Sequence, residues 1–229
     1  MKIKIKREPF LNSFSIAAIV APSRSPKTIL QNVKLDATQG SVRLTATDME
    51  VGVRLSLEDV EVETPGSAVI PVSRLSAILR ESSDEELSIS ADANKILVTG
   101  KQSRFELAGQ NPDEFPEVTD FVENDYFEIP ASTLKELIKR TLFATDAESS
   151  RYALSGVLLE MGDNTLTAVG TDGRRLAKME AAITQHGNPG ESGSATIVPS
   201  RSMQLIERTL PSGEEPVQIA ARENDLLVK

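Results

Sequence analysis

The sequence contains no cysteine and only one histidine, His186. Without cysteine there is no disulfide, no thiolate metal ligand and no thiol nucleophile, a composition compatible with a reducing compartment. A lone histidine in a polar stretch, with no partner in the pattern, reads as a surface residue rather than a general base. There is no His-Glu-x-x-His pair, no Cys/His cluster for zinc and no Gly-x-Ser-x-Gly elbow. Gly100-Lys101 has the look of the end of a phosphate loop. However, Lys95 stands where the first glycine belongs and Gln102 where a serine or threonine belongs, so that reading fails. No apolar run approaches the roughly 20 residues of a bilayer span. The start, Met1-Lys2-Ile3-Lys4-Ile5-Lys6, alternates charge with isoleucine, and the unbroken apolar stretch of a signal peptide does not follow it.

What is present fits a soluble globular chain of one or two domains: 229 residues, 39% hydrophobic and 26% charged. The formal net charge of -9 argues against a protein that grips DNA by charge neutralisation over its whole surface. Acid is concentrated in Glu58 to Glu63, in Asp84-Glu85-Glu86, and from Asp113 to Glu128, whereas the predicted helices are neutral or slightly basic.

The stretch Val169-Gly170-Thr171-Asp172-Gly173-Arg174-Arg175-Leu176 organises the chain. Strand formers flank Asp172-Gly173, which predicts a tight hairpin turn in which glycine takes φ > 0. Leu44-Thr45-Ala46-Thr47-Asp48-Met49-Glu50 has the same frame 124 positions earlier (171 minus 47). Met49-Glu50 in place of Gly-Arg predicts that the first copy does not form that turn. Ser67-Ala68-Val69-Ile70, Pro71 and Ser73-Arg74 return as Ser194-Ala195-Thr196-Ile197, Pro199 and Ser200-Arg201, an offset of 127 (201 minus 74). Two long segments at nearly constant separation imply a duplicated domain.

Taken in order, residues 2–6 alternate as a strand and 8–21 have helical spacing. Two prolines bound the loop 22–27, and 29–35, 41–46 and 51–57 read as strands. A second such unit follows: strand 68–70, helix 72–80, then strands 87–90, 96–99 and 103–108. Prolines and acids mark a boundary near 112–124, giving domains 1–120 and 121–229. Then the pattern restarts with strand 126–129 and helix 131–145, with Ser132 as its N-cap. Strands 157–160, 165–169 and 174–179, a polar loop 185–193, strand 195–198, helix 199–210 and strands 217–220 and 226–229 complete it. The first domain's pattern predicts at least one more strand after Lys229. The fold class is α+β: strand–helix–strands units, repeated.

Basic residues lie on the helices: Arg74 and Arg80, then Lys135, Lys139 and Arg140, then Arg201 and Arg208. A basic helix face by itself is most often solvated surface. Asp48, Glu50 and Asp172 offer carboxylates to a metal, with Asp48 and Glu50 on one face of a strand. Turn acids and solvated charge are the competing reading.

Arg151-Tyr152-Ala153-Leu154-Ser155-Gly156, Thr171-Asp172-Gly173-Arg174-Arg175-Leu176, Phe115-Pro116 and the start Met1-Lys2, in this order, resemble the bacterial sliding clamps, the β subunits of the replicative DNA polymerase III. The resemblance runs along the whole chain, which reaches most of the second of the family's three domains. It implies the DNA-clamp fold, with helices on one concave face and antiparallel sheets outside. It implies a ring without catalysis, cofactor or metal, through which duplex DNA threads, held by topology rather than affinity. Arg24, Lys135, Lys139, Arg151, Tyr152 and Arg201 are then the DNA-facing residues. Arg74 falls beside a family contact, and Ala153 replaces the family's second tyrosine. Leu154, Thr171, Gly173, Arg174, Arg175 and Leu176 match one side of a groove that takes peptides of the polymerase III catalytic subunit, the clamp loader and other proteins with clamp-binding motifs. Arg174 departs from the histidine common there. A single groove is expected, not two. Arg104, Phe105 and Leu107 match the edge that closes a homodimeric ring, which this chain alone is not expected to close. The family's setting is the bacterial cytoplasm. The alternatives are a β-rich peptide-interaction module that does not encircle DNA, and a carboxylate-metal hydrolase.

Overall fold

The computed structural model describes residues 1–58, 60–92, 95–162, 164–188, 195–222 and 225–229. Asp59, Ser194 of the repeat and most of the expected polar loop (189–193) lie outside the described residues. Backbone packing divides the chain into two units, Met1–Thr119 and Asp120–Lys229.

The first unit opens with β1 (Lys2–Lys6). Its isoleucines are buried and its lysines point outward, as period-2 alternation dictates. Along the chain follow α1 (Arg7–Val20), β2 (Asn32–Thr38), β3 (Ser41–Thr47), β4 (Gly52–Glu58), β5 (Glu61–Thr64), β6 (Gly66–Pro71), α2 (Val72–Glu81), β7 (Glu86–Asp92), β8 (Lys95–Thr99) and β9 (Arg104–Ala108). They build two antiparallel sheets, ordered β5-β1-β7-β8-β9 and β4-β3-β2-β6. Phe10 and Phe14, four apart on one face of α1, stack at 5.9 Å inside the core, with Leu35, Leu44, Leu75, Leu79 and Ile89 also buried.

The strands of this unit depart from the sequence reading in two places. The strand predicted from Ile29 starts only at Asn32, because Thr28–Gln31 is one turn of 3-10 helix. The Asn32 side-chain amide donates to the Thr28 and Ile29 carbonyls and closes that turn. The acidic run after Glu58 hides β5, which sequence reading missed. Its glutamates face the lysines of β1: Lys2 Nζ lies 2.5 Å from Glu63, and Lys4 Nζ lies 2.9 Å from Glu61. The Lys2 ammonium holds the Glu63 carboxyl below its ordinary range. Cross-strand partners decide such a strand, and they are far away in sequence.

The second unit repeats the order: β10 (Tyr126–Pro130), α3 (Ala131–Leu142), β11 (Gly156–Gly162), β12 (Thr165–Thr171), β13 (Leu176–Ala182), β14 (Thr184–His186), β15 (Ala195–Pro199), α4 (Ser200–Thr209), β16 (Pro216–Ala221) and β17 (Leu226–Val228). The sheets run β14-β10-β16-β17 and β13-β12-β11-β15. Leu134, Leu137 and Ile138 of α3 pack against Leu159, Leu166, Met203 and Ile219. Ser132 is not the N-cap. Pro130 occupies that place, and Ser132 Oγ, inside the helix, donates to Glu214 at 2.6 Å. The helix ends at Leu142 rather than Thr145, because the Ala144 and Thr145 N–H groups reach back only three residues. The start of the polar loop is strand β14, which carries His186. Its ring stacks on Tyr126 at 4.7 Å, with Nε2 3.7 Å from Glu128.

The duplication is stricter in three dimensions than in the sequence. Strand starts differ by 124 throughout the first halves (126 against 2, 156 against 32, 176 against 52). At the end of the sixth strand the offset is 128 (199 against 71), confirmed by register: Asn32 pairs with Pro71, and Gly156 with Pro199. Arg201 is therefore the counterpart of Ser73 and not of Arg74, which corrects the offset read from the sequence.

Candidate functional site

The hairpin between β12 and β13 is a four-residue loop, not a two-residue turn. Thr171 pairs with Leu176, so Asp172 to Arg175 lie outside the ladder. Arg174 and Arg175 are thus loop residues, whereas the alternation had placed them in a strand. The Asp172 carboxylate organises the loop. Its Oδ1 accepts the backbone N–H groups of Arg174 and Arg175, each at 2.9 Å, and its Oδ2 accepts Arg175 Nε at 3.1 Å. Those backbone donors hold the Asp172 carboxyl below the usual carboxylate range. Thr171 locks the base: its hydroxyl donates to the Arg175 carbonyl at 2.7 Å and accepts the Gly173 N–H at 3.1 Å. Gly173 sits at φ +85°, the left-handed region that glycine occupies without penalty.

The hairpin of the first unit forms the same loop, against expectation. Thr47 pairs with Gly52. Asp48 Oδ1 accepts the Glu50 and Val51 N–H groups at 3.0 and 2.7 Å, and the Thr47 hydroxyl donates to the Val51 carbonyl at 2.8 Å. Met49 takes φ +83° in the place of Gly173. The Thr-Asp frame outweighs the strain of a non-glycine residue there. Asp48 and Glu50 therefore stand in a loop and not on one strand face. Asp172 and Asp48 both spend their carboxylates on the turn, and the described residues contain no group of three acids or histidines spaced for a metal.

Around the second hairpin lies an exposed apolar surface beside charge. Leu176 is 65% exposed and Phe143, just past the end of α3, is 60% exposed. The Arg175 guanidinium lies over the Phe143 ring at 5.6 Å, and its Nη2 donates to the Phe143 carbonyl at 2.8 Å. Gly170 makes this approach possible. A Cβ there would fall 2.2 Å from the Thr141 carbonyl oxygen, so only glycine lets the last turn of α3 rest on β12. Leu154, half-buried, ends the 3-10 turn that leads into β11, next to β12 in the sheet. Thr171, Gly173, Arg174, Arg175 and Leu176 share the one loop. Phe143 was missed by sequence reading, because helical spacing assigned it to neither face. Its only signal is the offset of 124, which sets it against Ile19.

The cations expected to face DNA are less available in the second unit than their count suggests. Lys135 Nζ donates to the Leu210 carbonyl at 3.4 Å, Lys139 lies 3.7 Å from Glu207, and Arg140 lies 2.5 Å from Glu136. The Tyr152 hydroxyl donates to the Ile197 carbonyl at 2.9 Å while its ring stays exposed. Arg24, Arg74, Arg151 and Arg201 are exposed. Arg104, Phe105 and Leu107 lie on β9, the last strand of its sheet, and Phe105 is exposed. Beside it is a cavity of about 570 Å³ lined by Ile78, Glu81, Ser82, Asp84, Lys101 and Phe105.

Comparison with known proteins gives a consistent picture. Residues 1–119 match the DNA polymerase III beta subunit N-terminal domain, and residues 128–229 match the central domain of that subunit. A beta sliding clamp of Pseudomonas putida is 35% identical over 224 residues, 96% of this chain and 59% of its own. That of Haemophilus influenzae is 30% identical over 229 residues, all of this chain and 62% of its own. Among solved structures, a sliding clamp (DNA polymerase III subunit beta) of Pseudomonas aeruginosa bound to griselimycin superposes with a TM-score of 0.90. It is 30% identical, and the match covers all of this chain and 62% of the clamp. The chain thus spans about three fifths of the relatives it matches.

Proposed function

Because this chain belongs to the DNA polymerase III beta subunit family, we propose that it serves as the N-terminal and central part of a sliding clamp. Such a clamp encircles duplex DNA and tethers the replicative polymerase. It performs no chemistry and needs no cofactor, and its place is the cytoplasm; among the described residues no helix is long and apolar enough to cross a membrane. The sequence-independent partner is duplex DNA. The protein partners are the polymerase III catalytic subunit, the clamp loader and other proteins carrying a short clamp-binding segment; in the full-length family the ring closes as a homodimer, and Arg104, Phe105 and Leu107 are this chain's edge of that seam.

The observation that carries this reading is the second hairpin: an exposed leucine and phenylalanine flanking an arginine held by Asp172. Exposed apolar side chains beside an oriented donor suit a peptide that buries side chains and offers an acceptor. Leu154, Thr171, Gly173, Arg174, Arg175 and Leu176 form this side of the groove. Griselimycin, bound in the Pseudomonas aeruginosa clamp, is a direct probe. Calorimetric titration is expected to show binding that Leu176→Ala weakens, and binding indifferent to Leu176 would remove the site.

On the DNA side, Arg24, Arg74, Arg151 and Arg201, with the Tyr152 ring, supply the contacts. Lys135 and Lys139 lie on this side as well, each drawn to a neighbour within its own unit. Weak, salt-sensitive attraction suits sliding, because no register is favoured. That same pairing of the α3 cations favours a second reading, a peptide-interaction module that does not encircle DNA. Retention on circular but not on linearised DNA separates the two, since only enclosure distinguishes a closed circle from an open end.

A further inference from the structure

We infer that Phe143 is a positioning residue of the second hairpin: its ring and backbone carbonyl hold the Arg175 guanidinium so that its remaining N–H groups meet an acceptor on an incoming peptide. The inference rests on the partner-binding reading of this hairpin and names the chemistry that the site selects.

Three contacts fix the guanidinium. Nε donates to Asp172 Oδ2 at 3.1 Å, Nη2 donates to the Phe143 carbonyl at 2.8 Å, and the guanidinium carbon lies 5.6 Å from the Phe143 ring centroid. A long, exposed arginine otherwise samples many rotamers, and freezing it on binding costs affinity. Here the side chain is already placed. Nη1 has no hydrogen-bond partner among the described residues. The acceptor it awaits is a carbonyl or carboxylate, flanked by apolar groups that rest on Phe143 and Leu176, both mostly exposed.

The first unit supplies the internal control. At the offset of 124, Ile19 stands for Phe143, Val51 for Arg175 and Gly52 for Leu176. The loop is built alike in both units, but the first has neither ring nor cation and no side chain at the third place. The Phe143–Arg175 pair is therefore not required to make the turn, and its presence in one copy only is assigned to binding.

The test uses the whole chain and two fluorescein-labelled hexapeptides, one with a glutamate beside two leucines and one with lysine in its place. Phe143→Leu is expected to weaken the glutamate peptide about two- to fivefold, the range of an exposed cation–π contact. It should leave the lysine peptide unchanged, and Phe143→Tyr should bind as wild type. In ¹⁵N spectra the Arg175 Nε–H signal, displaced by the ring in wild type and in Phe143→Tyr, should return to the free-arginine position in Phe143→Leu. An unmoved signal in Phe143→Leu overturns the inference. So does equal weakening by leucine and tyrosine, or equal weakening of both peptides. If wild type binds neither peptide while the arginine signal still depends on the ring, the positioning role stands and the partner-binding reading falls.

Discussion

The two hairpins are the same construction put to different ends. In each, a threonine hydroxyl bridges the base and an aspartate carboxylate receives two backbone N–H groups. The third residue is Gly173 in one and Met49 in the other, at φ +85° and φ +83°. The backbone is therefore set by Thr-Asp, and the remaining positions are free to differ. They do differ. Where the second unit has Arg175 and an exposed Leu176, the first has Val51 and Gly52. A Cβ on Gly52 would lie 2.5 Å from Val118, so the segment that closes the first unit covers the place where the second shows a leucine. Duplication gave two loops, and Val118 packs on the first of them.

The sharpest break of this comparison is Gly52→Leu, which gives the first hairpin the second one's residue. It is expected to cost about 1–3 kcal/mol by overpacking against Val118, read as a lower urea midpoint. Leu176→Gly, the reverse exchange at an exposed site, should move the midpoint much less. Next come the third positions. Gly173→Ala should cost about 1–2 kcal/mol, the strain of a side chain at positive φ. Met49→Gly should recover up to about 1 kcal/mol by the same logic, offset by the greater freedom of the unfolded chain. Silence at both positions would show that the positive φ carries no strain in either loop, and an effect at only one would show that the loops are not equivalent.

The second hairpin can also be probed by pH. The Arg174 and Arg175 N–H groups hold the Asp172 carboxyl below its usual range. Its contribution is thus fully present above about pH 4, the unfolded value, and is lost as pH falls through the lowered folded one. The Tm difference between wild type and Asp172→Asn should be flat above that value and close at more acid pH. A gap that widens on acidification would reverse the assignment. Smallest of all, Lys139→Ala should change stability by no more than about 0.5 kcal/mol, because its pair with Glu207 is long and the lysine itself is exposed.

Much of this was legible in the sequence. Alternation of isoleucine and lysine marked β1, and helical spacing of Leu134, Leu137 and Ile138 marked α3, because both patterns are local. The repeat and the existence of the second hairpin were legible for the same reason, although the alternation placed Arg174 and Arg175 in a strand rather than in its loop. β5 was not, since Glu61 and Glu63 become strand residues only opposite Lys2 and Lys4. Nor was the first hairpin, because glycine preference is a local rule and the Thr47 and Asp48 bonds override it.

By itself, then, the order of residues settled what short-range physics can settle: the periods that make strands and helices, and the duplication. Folding alone decided which charges cancel, as with Lys139 and Glu207 brought together from two helices. Folding also decided that a phenylalanine 32 residues away in sequence steadies the arginine of a turn. Both depend on distances in space that no spacing along the chain encodes.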